Sequence, residues 1–83
     1  MFTVRLSARQ NPDFPRRDDL PRARSVPVAS LEEASERCLR FIAEHDLGGG
    51  NWSGGQVCEA ATGKVLAARV AYNGRVFDVG PGR

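Results

Sequence analysis

The chain has 83 residues, 41% of them hydrophobic and 27% charged, with a formal net charge of +2. That length holds one domain whose core is marginal, since a chain of this size buries only about 60–65% of its unfolded surface, and the composition excludes disordered and collagen-like proteins. No apolar run approaches the roughly 18 residues of a membrane helix, and the opening M-F-T-V-R-L-S-A-R is neither a basic leader nor a long apolar stretch, so a soluble, cytoplasmic protein with no membrane partner is expected.

Charge is distributed unevenly. Residues 1–25 carry six arginines against three aspartates, whereas the remainder carries six basic and seven acidic residues. Clustered arginines attract phosphates, although interspersed acids weaken that signal and a coding bias also explains why eleven of twelve basic residues are arginine. Cys38 and Cys58 read as reduced, small hydrophobes rather than as a disulfide.

Taken in order, Phe2, Val4 and Leu6 alternate with Thr3, Arg5 and Ser7, the period-two pattern of a strand buried on one side. From 8 to 25 three prolines and dense charge defeat both regular periods, which predicts a long irregular loop with Phe14 and Leu20 as its anchors. Val26, Pro27 and Val28 suit a short edge strand, because Pro27 has no amide to give a ladder. Ser30 and Glu33 form a capping box, with the Glu33 carboxylate reaching back to Ser30. A helix from Leu31 to about Asp46 follows, its stripe being Leu31, Ala34, Cys38, Phe41, Ile42 and His45. Glu33 with Arg37 and Glu36 with Arg40 are spaced for ion pairs, and Gly48 suits the C-cap.

Five glycines among residues 48–55 surround Asn51, Trp52 and Ser53. They follow a helix and enter a strand, the reverse of a phosphate loop, so the plain reading is a flexible connection. Residues 56–60 read as a strand. If Gly63 is the left-handed residue of a three-residue loop, Cys58 faces Leu66 and points to the core; a two-residue Thr62-Gly63 turn sends Val57 there instead, and the first arrangement is preferred.

Asn73 and Gly74 lie between β-rich flanks and suit a two-residue type I′ turn. That turn pairs Tyr72 with Arg75, Ala71 with Val76, Val70 with Phe77 and Arg69 with Asp78. The core face then collects Leu66, Ala68, Val70, Tyr72, Phe77 and Val79. The outer face carries Val65, Ala67, Arg69, Ala71, Val76 and Asp78, which is apolar enough to suggest a covering second subunit. The tail, residues 80–83, reads as frayed. The expected architecture is a single α+β domain over residues 1–79: an antiparallel sheet of the N-terminal strand and a C-terminal three-strand meander, with one helix on one face.

Chemical signals are sparse. Cys38 and His45 are two helical turns apart, too far to share a proton directly, and the plain reading is a buried thiol and a rim imidazole. Two cysteines and one histidine without ligand spacing suggest no metal, and no cofactor or catalytic residue is assigned. Trp52 reads either as a lid on the core or as an exposed stacking platform. Asn51, Trp52, Arg69, Tyr72, Asn73 and Arg75 are the candidate interaction surface, which with more arginines would suit single-stranded nucleic acid.

The succession S-L-E-E-A-S-E-R-C-L-R-F-I, L-G-G-G-N-W-S-G-G-Q-V and G-K-V-L-A-A-R-V-A-Y-N-G-R-V-F-D, spanning about residues 26–79, resembles a family of small bacterial proteins sharing G-G-x-V and Y-N-G-R-V segments. The resemblance implies a compact α+β fold and brings no activity and no functional residues. The function expected is a non-catalytic interaction or adaptor module, self-associating as a homodimer; the alternative is a nucleic-acid-binding domain using its arginines with Trp52 and Tyr72.

Overall fold

The computed structural model describes residues 2–59 and 66–78, with Leu66 and Asp78 described by their backbone alone. The alternating N-terminal segment forms β1 (Phe2–Leu6), and the proline-bearing segment forms β2 (Arg24–Val28) at the sheet edge. After α1 (Leu31–Glu44) come β3 (Gln56–Glu59), β4 (Leu66–Val70) and β5 (Val76–Asp78). All five strands make one antiparallel sheet in the order β2-β1-β3-β4-β5. The protein is an α+β domain with one strand more than the sequence pattern required. Both β2 and β3 run antiparallel to β1, so they are parallel to each other, and α1 crosses one face of the sheet to join them.

The helix forms where its local signals say. Ser30 has extended backbone and its hydroxyl accepts from the Glu33 amide at 3.1 Å. The Glu33 carboxylate reaches one residue past the expected partner and accepts from the Ala29 amide at 2.6 Å. The expected pairs Glu33–Arg37 and Glu36–Arg40 do not form; the ion pairs among the described residues are Arg16–Asp18 and Arg17–Asp19. At the other end the left-handed position falls on Asp46 (φ 51°), not on Gly48. The Leu47 amide donates to Ile42 and the Asp46 amide to Ala43, a Schellman motif that sends Leu47 into the core.

Ala34, Cys38, Phe41 and Ile42 of α1 pack on Val4, Leu6, Val28, Val57, Ala68 and Val70. Val4, Leu6, Val57 and Val70 are at most 1% exposed, and full burial of such a side chain is worth about 1.5–3 kcal/mol. Leu20 packs against this core from the long loop as expected, whereas Phe14 is 68% exposed and anchors nothing.

Two registers differ from expectation. In the β4–β5 hairpin the Ala71 amide donates to Arg75, the Gly74 amide donates to Ala71, and Gly74 alone of the turn residues takes a positive φ, 88°. This is a three-residue loop in which Gly74 supplies a bulge. It pairs Val70 with Val76, Arg69 with Phe77 and Ala68 with Asp78. Slipping by one residue exchanges the faces of β5: Val76 packs on the core and Phe77 is 45% exposed. The expected Arg69–Asp78 cross-strand pair is therefore absent. Between β3 and β4 a bulge lets Cys58 face Leu66 while Val57 pairs with Ala68. Val57 is the core residue at 0% exposure, and Cys58 lies half-buried on the opposite face, not in the core. The turn at 60–65, the placements of Val65 and Val79, and the tail at 80–83 lie outside the described residues.

Candidate interaction surfaces

The glycine stretch is hydrogen-bonded to Arg5 of β1 and to Ser7 and Arg9 just beyond it, and is not a loose connection. The Arg9 amide donates to Asn51, the Ser53 amide to Ser7 and the Gly55 amide to Arg5, while the Val70 amide donates to Gly55. Gly55 has φ 97°, and a Cβ there would overlap the Val70 carbonyl, so the backbone of two strands meets where only glycine fits.

Asn51 is 7% exposed, and both ends of its amide are used: Nδ2 donates to Arg9 O at 2.9 Å and Oδ1 accepts from the Gly48 amide at 3.1 Å. Trp52 is 8% exposed, its ring 6.1 Å from that of Phe41 and its Nε1 donating to Val70 O at 3.1 Å. Of the two readings of Trp52 the lid is therefore the one found. Neither residue offers an exposed stacking surface.

Tyr72 goes elsewhere. It is 43% exposed, its ring lies over Gly49 and its hydroxyl donates to Leu47 O at 3.0 Å. It lines a cleft of about 810 Å³ together with Phe14 and Arg16 of the long loop and Gly48 to Gly50. Arg17 holds that loop in place: its guanidinium donates to the His45 and Asp46 carbonyls at 2.8 Å each and to both oxygens of Asp19. The same contact with Arg17 holds the Asp19 carboxyl below the ordinary aspartate range and raises Arg17 in turn.

Arg69 and Arg75 belong to a third place, the sheet face that α1 leaves uncovered. Ser25 pairs with Arg5, Gln56 pairs with Arg69, and Arg69 pairs with Phe77; continuing the β1–β3 register sets Arg5 beside Gln56. The five residues make one transverse row across all five strands. With strands about 4.8 Å apart, the row is roughly 19 Å long and its two arginines are roughly 10 Å apart. Arg75 extends it, its guanidinium carbon 5.1 Å from the centre of the Phe77 ring. Arg5, Arg69, Arg75 and Phe77 are exposed, and none of these arginines has an ion-pair partner among the described residues. Gln56 Oε1 has no hydrogen-bond partner there either. Asn73 shapes the turn beside this row, its Oδ1 accepting from the Arg75 amide at 3.0 Å.

The six residues singled out in the sequence thus divide among three environments: Asn51 and Trp52 inside, Tyr72 in the cleft, Asn73 in the turn that carries Arg69 and Arg75 onto the open face. Phe77 and Arg5 were missed. A two-residue turn puts Phe77 in the core, and Gly74 read as a bulge glycine is the signal in the sequence that turns it outward. Arg5 was visible as an outward position of the first strand.

Elsewhere the chemistry is quiet. The Cys38 thiol is buried and pushed up to about 12 by desolvation, and it lies on the opposite side of the sheet from Cys58. The His45 ring packs edge-on against Phe41 at 4.8 Å. Among the described residues no group of three or more His, Cys, Asp or Glu side chains is placed to hold a metal ion, and no helix is long and apolar enough to cross a membrane. Comparison of the chain with protein-family models, with curated proteins and with solved structures finds no match.

Proposed function

We propose that this protein is a non-catalytic binding module whose open sheet face takes a single-stranded nucleic acid. The observation that carries the reading is the row Arg5, Gln56, Arg69, Phe77 with Arg75 against the Phe77 ring. Guanidinium groups neutralise phosphates, and an exposed ring beside them offers a stacking surface to a base of any identity. By the strand registers, no described strand side chain on that face is acidic. The outer face differs from the expected one in that Val76 is turned inward and Phe77 stands beside Arg69.

The test is anisotropy of a labelled single-stranded oligonucleotide over a range of salt. Affinity should fall with salt with a log–log slope of about −0.7 per phosphate contacted, and Arg69→Ala should reduce that slope by about one such step. Phe77→Ala should weaken binding by about 1–3 kcal/mol. Absence of binding at low salt, or binding indifferent to Arg5, Arg69 and Phe77, would sink the reading. A mass that doubles with protein concentration and returns to the monomer in Phe77→Ala would favour a second copy of the chain as the occupant.

A further inference from the structure

On the helix side of the sheet, away from the row just described, a second feature stands apart. Arg24 of β2 and Arg37 and Arg40 of α1 line a recess of about 160 Å³ together with Leu6, Phe41 and Glu44. Three arginines and one glutamate line it, a formal surplus of two positive charges. The carboxylates whose spacing would neutralise them do not: Glu33 is engaged with the Ala29 amide, and none of the three arginines has an ion-pair partner within 4.0 Å among the described residues. The fold also makes the convergence, since Arg24 is opposite Leu6 in the β1–β2 register and so faces the helix.

The geometry points to a tetrahedral oxyanion site: the recess binds a dianionic phosphate group, either free inorganic phosphate or the terminal phosphate of a monoester. The recess, about 160 Å³ and open to solvent on one side, has room for a phosphate group. Arginine's planar fork matches phosphate oxygens with paired, charge-assisted hydrogen bonds. The surplus of two charges balances the dianion that phosphate monoesters approach at neutral pH. Glu44 in the lining is the repulsive element; it opposes more highly charged ligands.

Titration calorimetry at pH 7.5 and constant ionic strength, with chloride as the balancing anion, tests the site using inorganic phosphate and adenosine 5′-monophosphate as probes. Saturable phosphate binding is expected, weakened at least about tenfold by each of Arg24→Gln, Arg37→Gln and Arg40→Gln, since each removes charge-assisted hydrogen bonds. Arg22→Gln, which removes the same charge from the exposed loop, should leave affinity unchanged, and Glu44→Gln should tighten it several-fold. Tighter binding of the monoester assigns an esterified phosphate as ligand, and equal affinity assigns the free anion. Phosphate heats no larger than those of chloride, or an equal loss in Arg22→Gln, would overturn the proposal. Circular dichroism of each variant separates lost binding from lost folding.

Discussion

Asp46 is the one non-glycine residue among those described that sits at positive φ, and it does so to close the Schellman motif that turns Leu47 inward. A side chain in the left-handed region costs about 1 kcal/mol relative to glycine, so Asp46→Gly should stabilise the protein by that amount and raise its melting temperature by about 4–8 °C. The opposite holds at Gly55, where φ is 97° and a Cβ would overlap the Val70 carbonyl; Gly55→Ala should cost more than about 1 kcal/mol in urea denaturation. Trp52→Phe keeps most of the buried ring but removes the donor to Val70 O, a loss of about 1–3 kcal/mol if the carbonyl is left unsatisfied. At Asp19 the folded pKa lies below the ordinary 3.8 because Arg17 donates to it. A depressed carboxyl contributes above its unfolded pKa and loses that contribution as pH falls through the folded value. A proton titration followed by NMR should therefore place the Asp19 midpoint below 3.8, and Arg17→Gln should return it to the ordinary range.

At the scale of elements, what was legible was whatever local pattern decides. The alternation of residues 2–6 and the stripe from Leu31 to Ile42 each identify a buried face, and Ser30 marks the helix start; Ser30→Ala should cost about 0.5–2 kcal/mol in thermal unfolding. What was not legible was decided by competition between neighbours. Glu33 had two uses, and a carboxylate accepting an amide is worth about 1.5–3 kcal/mol against about 0.2–0.5 for a surface pair with Arg37, so the cap wins and the arginine is released. Beyond the local signal of Gly74, the hairpin turn is braced by contacts far away in sequence: the Ser35 hydroxyl donates to Gly74 O at 2.6 Å, and a Cβ at Gly74 would come within 2.7 Å of Leu39. The turn is thus held against α1 in its three-residue form. Gly74→Ala, strained at φ 88° and crowded by Leu39, should cost more than about 1 kcal/mol and leave the Phe77 environment changed in NMR spectra. The candidate site failed in the sequence at the same point, since one residue of slip decides whether Phe77 or Val76 meets solvent.

For the whole molecule, the decisive fact is one helix against five strands. The α1 helix covers one side of the sheet, and the chain has no second element among the described residues to cover the other. The edges of the sheet are poorly suited to pairing with another chain: β2 carries Pro27 and β5 has three residues. The broad uncovered face, with its arginines and Phe77, is what remains for recognition. Its use is tested most directly by amide chemical-shift mapping during titration with a single-stranded oligonucleotide bearing a 5′-hydroxyl. Salt-sensitive shifts concentrated at Thr3, Arg5, Gln56, Cys58, Arg69 and Phe77 are expected, abolished in Arg5→Ala/Arg69→Ala. Shifts confined to α1 or to the cleft lined by Phe14 and Tyr72, or none at low salt, would rule out the sheet face as the binding surface.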